Sequence, residues 1–196
     1  MYKNSNRVTW VISIALALII MVVVVLLALN AAGNKNSDSK EAAFDPGESA
    51  LTTIHDSSGV RMTVRGKIVA DEVHNSYQIT IRPLSKTMSV YQGYLGTLVK
   101  SKVDTNNFEA YTEFAYALAH AGLMKGKESS VDTRGICPSG TLTTFELFDG
   151  DRVVKTLWHT SCSKDVESYI GKYSDVEKLF TNQIVDHKTL LKGIKL

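Results

Sequence analysis

The stretch that decides the fold is CPSGTLTTFELFDGDRVVKTLWHTSC, residues 137–162. Its two halves are rich in Thr, Val, Phe and Trp, the residue types that favour β-strands. Between them, Asp149-Gly150 is a sequence typical of the type I′ turn of a tight hairpin. The stretch therefore predicts a β-hairpin with these two residues as its loop.

The ends of this hairpin are the only cysteines in the chain, Cys137 and Cys162. With a two-residue loop, positions equally far from the turn pair with each other, which places Cys137 directly opposite Cys162. The same register puts both cysteines on one face with Phe145, Val154 and Trp158. A non-hydrogen-bonded pair of this kind brings its Cα atoms to about 4.5 Å, a separation that a disulfide accepts. The pattern predicts a disulfide that clamps the open end of the hairpin.

Other uses of the two cysteines fit the sequence less well. A redox pair is expected as C-x-x-C at the start of a helix. A zinc site that borrowed His159 would match no familiar ligand spacing. Two reduced, buried cysteines are the alternative if the domain is cytosolic. A disulfide instead predicts an oxidising, extracytoplasmic compartment.

An apolar run, VTWVISIALALIIMVVVVLLAL, occupies residues 8–29 and contains no charged side chain. As a helix this run would extend about 33 Å, enough to cross a hydrocarbon core of about 30 Å. It is longer than the apolar region of a cleaved signal peptide, and no clean small-x-small cleavage site follows it. The sequence predicts a transmembrane signal-anchor helix over 8–29.

Basic residues suggest which way the span points. The tail, residues 1–7, carries Lys3 and Arg7 and no acid, and Lys35 and Lys40 lie on the far side. The two sides of the span carry equal numbers of Lys and Arg residues, but those of the tail lie closer to the span. We therefore expect a cytoplasmic N-terminus and an extracytoplasmic C-terminal domain.

Small and polar residues dominate 30–59, and this composition predicts a flexible extracytoplasmic stalk. An alternative for its second half is a short ordered arm packed by Leu51 and Ile54. From Val60 onward the patterns are those of a globular domain, which we place at 60–196.

Hydrophobic periodicity within 60–196 predicts both strands and helices. Alternation over 60–64, 77–81 and 88–95 predicts three short antiparallel strands before the hairpin. Helical spacing begins after Asn106, an expected N-cap, and again at the capping-box sequence that starts at Ser174. The predicted fold is an N-terminal transmembrane helix plus a small α+β domain with an antiparallel sheet and two helices.

Motifs that carry chemistry are absent from the sequence. The five histidines form no local ligand pair, and no nucleophile elbow or phosphate-binding loop occurs. A net charge of +2 gives no concentrated basic surface for nucleic acid. We therefore predict no catalytic, cofactor-binding or metal-binding residues, while a dyad assembled only by the tertiary fold stays open.

Three residues are candidates for surface recognition: Tyr91, Tyr94 and His159. Tyrosine suits recognition because it offers a rigid ring and a polar tip. The alternative is that these tyrosines border the core with the hydroxyl in water.

Two resemblances bear on the architecture. An apolar N-terminal helix, a small β-rich domain and a late disulfide resemble a type IV pilin or pseudopilin, but the early glutamate and the preceding glycine of pilins are missing here. The segments RGICPSG, LWHTSC and KLFTNQIVD are similar to uncharacterised single-pass proteins of candidate-phylum bacteria such as Saccharibacteria. That resemblance implies no activity and no site residues.

These observations predict a non-catalytic, membrane-anchored binding or envelope-assembly module. Its expected partners are the lipid bilayer through 8–29 and an envelope protein or glycan, with no nucleic acid and no cofactor. The alternatives are an anchored envelope hydrolase and a pilin-like subunit.

Overall fold

The computed structural model describes Met21, residues 51–162 and residues 167–196. The chain divides into two compact units, 1–44 and 45–196. The predicted tail and most of the predicted stalk lie outside the described residues, and so does the predicted span apart from Met21. Within the described ranges, no helix is long and apolar enough to cross a membrane.

The described domain is a small α+β fold with one antiparallel sheet, as the sequence predicts. Its six strands follow the spatial order β4-β3-β2-β1-β5-β6. The strands are β1 (Ser58–Arg65), β2 (Asn75–Ile81), β3 (Ser85–Gln92), β4 (Thr97–Thr105), β5 (Leu142–Asp149) and β6 (Arg152–Thr160). The two main helices are α1 (Phe108–His120) and α2 (Tyr173–Asn182), and a short helix, α3 (His187–Leu190), follows.

The hydrophobic core lies between one face of the sheet and the two main helices. Strand residues at alternate positions, such as Met62, Ile79 and Met88, are fully buried there. From the helices, Phe114 and Phe180 meet edge to face with their ring centroids 5.5 Å apart. This arrangement follows from the two periodicities, because alternate strand residues and every third or fourth helix residue share a face.

Residues at the beginning of the domain pack against its hydrophobic core. Leu51 is buried in the core, and Ile54 packs partly against it. These contacts match the ordered-arm alternative for the second half of the predicted stalk. The first strand begins at Ser58, two residues before the predicted start of the globular domain.

Both main helices begin close to the predicted positions, but with different caps. The N-cap of α1 is Asn107, whose Oδ1 accepts a hydrogen bond from the Ala110 N–H at 2.8 Å. Asn106, the predicted cap, lies one residue earlier. The N-cap of α2 is Lys172, with no side-chain cap bond, so the predicted cap at Ser174 is wrong. Errors of one or two residues are expected because cap residues are chosen by backbone angles as well as by side-chain type.

The predicted hairpin is present, but its loop is one residue later than expected. Asp149 pairs with Arg152, so Gly150 and Asp151 form the loop. Gly150 has φ 61°. A glycine at the first central position is the signature of a type II′ turn rather than the predicted type I′.

The register of the hairpin also differs from the predicted one, and the faces change with it. A shift in the pairing near the turn leaves Val154 outside the ladder, and Phe145 pairs with Leu157. Because successive strand residues face opposite sides, Trp158 lies on the face opposite Phe145. The predicted shared face was therefore wrong.

The disulfide between Cys137 and Cys162 is present, with a Cα–Cα distance of 5.5 Å. The two cysteines are not, however, a directly opposed pair on the two strands of the hairpin. The last contact of the hairpin is the hydrogen bond from the Ser161 N–H to the Thr141 carbonyl at 3.0 Å. The chain then reverses in a turn closed by the Gly140 N–H donating to the Cys137 carbonyl at 3.3 Å. Cys137 takes a left-handed φ of 53° there. A Cβ at Gly140 would lie only 2.7 Å from the Cys137 sulfur, so this close turn requires glycine.

Buried tyrosines predict how the stability of the domain depends on alkaline pH. Burial raises the pKa of Tyr77, Tyr111 and Tyr173 above the ordinary value for a phenol. Each phenol stays protonated in the folded state at pH values where the unfolded chain ionises, at about pH 10. This contribution to stability is complete below pH 10 and is lost as the pH rises.

We therefore expect the free energy of unfolding to fall steadily above pH 10. Denaturant titrations of the domain at pH 8 to 11, with tyrosinate absorbance followed in parallel, measure this loss. The Tyr116→Phe variant is the matched control, because it removes a phenol that is 45% exposed rather than a buried one. A stability curve that stays flat through pH 11 would contradict the burial argument.

Candidate functional site

The three predicted recognition residues lie in two separate regions of the sheet. Tyr91 is on β3, and Tyr94 follows it in the turn that leads to β4. His159 is on β6, the strand at the opposite edge. The fold therefore does not bring the three into one site.

His159 is part of a contact that holds the chain beyond the disulfide against β6. Its Nδ1 lies 2.8 Å from Oε2 of Glu167, and its ring stacks on Tyr173 with centroids 4.3 Å apart. The other oxygen of Glu167 accepts a hydrogen bond from the Thr160 N–H at 3.2 Å. One carboxylate thus binds both the side chain and the backbone of β6.

Further contacts of the same kind close the outer edge of β6. The Thr156 N–H donates to Oε1 of Glu128 at 2.7 Å, and the Trp158 N–H donates to the Ser168 hydroxyl at 2.7 Å. The Trp158 carbonyl accepts hydrogen bonds from the Ser168 and Tyr169 N–H groups. Unpaired edge strands invite pairing with other chains, and these contacts prevent it here. The geometry around His159 therefore has a structural explanation.

Phenols next to His159 are neutral at physiological pH. Tyr173 accepts a hydrogen bond from the Thr143 hydroxyl at 3.2 Å, and burial raises its pKa. Burial also raises the pKa of Tyr169 to about 12. These groups therefore remain protonated, and they are hydrogen-bonding groups rather than bases.

The opposite edge of the sheet is more open. β4, which the sequence did not predict, is exposed along most of its length, and Leu98 is 56% exposed. Leu95, in the turn before it, is 96% exposed. On the helix side, Lys100 donates to the carbonyls of Leu190 and Lys192 at 3.0 and 2.9 Å. β4 thereby anchors the C-terminal segment and leaves an apolar turn in solvent.

Tyr94 fixes the connection between β1 and β2. Its hydroxyl donates to the Val69 carbonyl at 2.7 Å and accepts from the Val69 N–H at 3.0 Å. Its ring stacks on the buried His74 ring with centroids 4.0 Å apart and an interplanar angle of 9°. The Tyr94 N–H also donates to Asp71 at 2.7 Å. Four contacts thus join the β3–β4 turn to the connection.

The connection that Tyr94 holds lines a cavity of about 260 Å³. Its apolar lining comes from Val69, Val73 and Leu196, and its polar lining comes from Lys67, Asn75 and Lys195. The lining therefore combines the β1–β2 connection with the last two residues of the chain, which are more than 100 positions away.

Asn75 and Gly66 join the two sides of this cavity. The Asn75 side-chain amide donates to the carbonyls of Val73 and Lys195, each at 3.1 Å. A Cβ at Gly66 would lie 2.9 Å from the backbone of Leu196, so only glycine allows this close approach. The Gly66 N–H in turn donates to the Asn75 carbonyl at 3.0 Å. The cavity is therefore preformed by backbone contacts.

Two lysines, Lys67 and Lys195, line the cavity. Among the described residues, the ammonium groups of Lys67 and Lys195 form no ion pair and no hydrogen bond. Asp71 and Glu72, on the same connection, are exposed, and Asp71 is already engaged by the Tyr94 backbone. The arrangement offers an apolar space next to positive charge, a combination suited to a small ligand.

Most of this site was not visible in the sequence. Tyr94 was selected, and the structure places it behind the cavity as the residue that positions one wall. The lysines and valines of the lining carried no motif, since they come from two remote segments. A glycine before a short loop was the only local signal, and many loops share it.

No protein-family model and no curated protein matches this chain.

Proposed function

We propose that this protein is a membrane-tethered, extracytoplasmic binding module without catalytic activity. In this proposal residues 8–29 form the anchor and the tail 1–7 is cytoplasmic. The α+β domain then lies outside the membrane, where its partner is an envelope protein or glycan. The observation that carries the proposal is the disulfide between Cys137 and Cys162.

The disulfide supports an extracytoplasmic location because such bonds persist in oxidising compartments. Cys137 is 2% exposed, and the strict packing at Gly140 accommodates the bond. A turn built around a disulfide in this way is a structural element. Catalysis or metal binding by a cysteine requires a thiolate, and neither Cys137 nor Cys162 is free.

Binding, rather than catalysis, is favoured by what the open side of the domain presents. There the domain has the preformed cavity and the exposed apolar turn with Leu95, both features of interaction sites. His159 with Glu167 is the observation that favours an anchored envelope hydrolase as a second candidate. That pair ranks second because its contacts are accounted for by the closing of β6.

Thiol labelling in intact cells tests the location. With a membrane-impermeant maleimide, we expect Cys137 and Cys162 to react only after reductant is added and without permeabilisation of the membrane. A disulfide sulfur carries no thiolate to attack the maleimide, so both cysteines stay unlabelled before reduction. Labelling without reductant, and only after permeabilisation, would show that both the orientation and the extracytoplasmic disulfide are wrong.

Two reporter variants calibrate this experiment in a background with both native cysteines replaced by alanine. Ser5→Cys, in the tail, should be labelled only after permeabilisation. Ser37→Cys, beyond the apolar run, should be labelled in intact cells. The reverse result for this pair would place the domain in the cytoplasm.

A further inference from the structure

We infer that the cavity between the β1–β2 connection and the chain's last residues binds an amphipathic anion. In this arrangement a short apolar chain enters the cavity, and a carboxylate or phosphate head lies at Lys67 and Lys195. The inference deepens the proposed binding function by naming a ligand class and the residues that recognise it.

The size of the cavity limits the ligand. Its volume is about 260 Å³. A water molecule occupies about 30 Å³ in the liquid, so the space holds roughly nine non-hydrogen atoms. A chain of about six carbons with its head group is of this size. A folded peptide or a whole phospholipid is too large, although the end of an acyl chain is not.

The charges at the cavity determine the sign of the ligand. Some lysines of the domain are paired: Lys102 contacts Asp186 at 2.9 Å, and Lys172 contacts Asp175 at 3.1 Å. Lys67 and Lys195 have none among the described residues. The positive charges of these two lysines attract an anion at the cavity and repel a cationic ligand.

The apolar wall determines that the anion must carry a chain. Val73 is 59% exposed, and together with Val69 and Leu196 it presents uncovered hydrocarbon to solvent. Covering apolar surface stabilises a complex. Asp71 and Glu72 lie nearby and weaken the positive potential, so the lysines alone hold a simple anion poorly. Charge and chain are therefore both required.

Preorganisation favours binding at this place. The stacking of Tyr94 on His74 and the hydrogen bonds of Asn75 hold the lining in position before a ligand arrives. Little conformational freedom is then lost when the cavity is filled.

Lysine protection in the full chain tests the inference. The protein is reconstituted in phosphatidylcholine nanodiscs, and its lysines are acylated with an amine-reactive ester while labelling rates are measured peptide by peptide. Hexanoate and hexyl phosphate should slow labelling of Lys67 and Lys195 at least threefold at saturation. The rate at Lys178, an exposed lysine on α2, should not change and provides an internal control.

Matched probes separate the two requirements. Acetate has the charge without the chain, and hexanol has the chain without the charge, so neither should protect. The Val73→Trp variant, changed at an exposed position of the lining, should occlude the cavity and abolish protection by hexanoate, measured against the variant's own unprotected rates. Protection in phosphatidylglycerol discs without added solute would identify the bilayer as the source of the anion.

Clear outcomes would overturn the inference. One is a fall in labelling of Lys67 and Lys195 no larger than that of Lys178. Another is equal protection by acetate, which would mean a simple anion site. Failure here leaves the thiol-labelling result intact, and a cytoplasmic location would leave the protection result intact. The two proposals are therefore tested separately.

Discussion

Replacement of Phe145 by alanine should lower the free energy of unfolding by about 4 kcal/mol, the range for removal of a fully buried aromatic ring. Phe145 is 1% exposed at the centre of β5. Its ring lies 5.2 Å from the ring of Tyr169 and 6.1 Å from that of Phe180. Its loss leaves a cavity between the sheet and α2, and it also removes the aromatic contacts. The cost is therefore among the largest for a single substitution in this domain.

Urea denaturation of residues 45–196 measures this loss, with Trp158 as the only tryptophan of the unit. Phe145→Leu should cost less than half as much, and it provides a measurable step if the alanine variant does not fold. Phe108→Ala is the matched control. Phe108, the first residue of α1, is 42% exposed. A cost at Phe108 equal to that at Phe145 would contradict the assignment of the core.

Removal of the disulfide by the double change Cys137→Ala and Cys162→Ala should lower the free energy of unfolding by about 3 kcal/mol. The bond closes a loop with a sequence separation of 25 residues, and the loss of this restraint increases the entropy of the unfolded chain. For a domain of this size, such a loss lowers the Tm by roughly 10 °C. Calorimetry of wild type and variant, both under oxidising conditions, measures the difference.

A second double variant separates the effect of losing the cross-link from the effect of the backbone conformation at residue 137. Cys137 has φ 53°, a left-handed conformation that disfavours residues with a Cβ by roughly 1 kcal/mol. Cys137→Gly with Cys162→Ala should therefore be more stable than the double alanine variant, because glycine adopts this angle freely. Equal stability of the two variants would show that the turn relaxes once the bond is absent. No difference between wild type and either variant would exclude a stabilising role for the disulfide.

The sequence was sufficient for the features that depend on neighbouring residues. Alternation of apolar side chains located β1, β2 and β3, and helical spacing located α1 and α2. The identity of the disulfide partners also followed, since the chain has only two cysteines and a turn signal lies between them. The reason offered for their contact was nevertheless wrong. The loop lies at Gly150 and Asp151, and the turn at Gly140 compensates for the changed register.

Other features depended on contacts between remote segments. β4 escaped prediction because an exposed edge strand carries no continuous apolar face; its position is set by pairing with β3. The edge of β6 is closed by Glu128 and Glu167, residues with no local sign of that role.

The sequence by itself determined the α+β class of the described domain, its two main helices and the pair of cysteines, because periodicity, turn residues and composition act over a few neighbouring positions. Only the tertiary structure decided the strand order, the register of the hairpin and the cavity. Lys67 and Lys195 are far apart in the chain, and they line one cavity because Gly66 and Asn75 let the C-terminal residues approach the β1–β2 connection. Such an approach depends on the packing of the whole domain, so no local pattern records it.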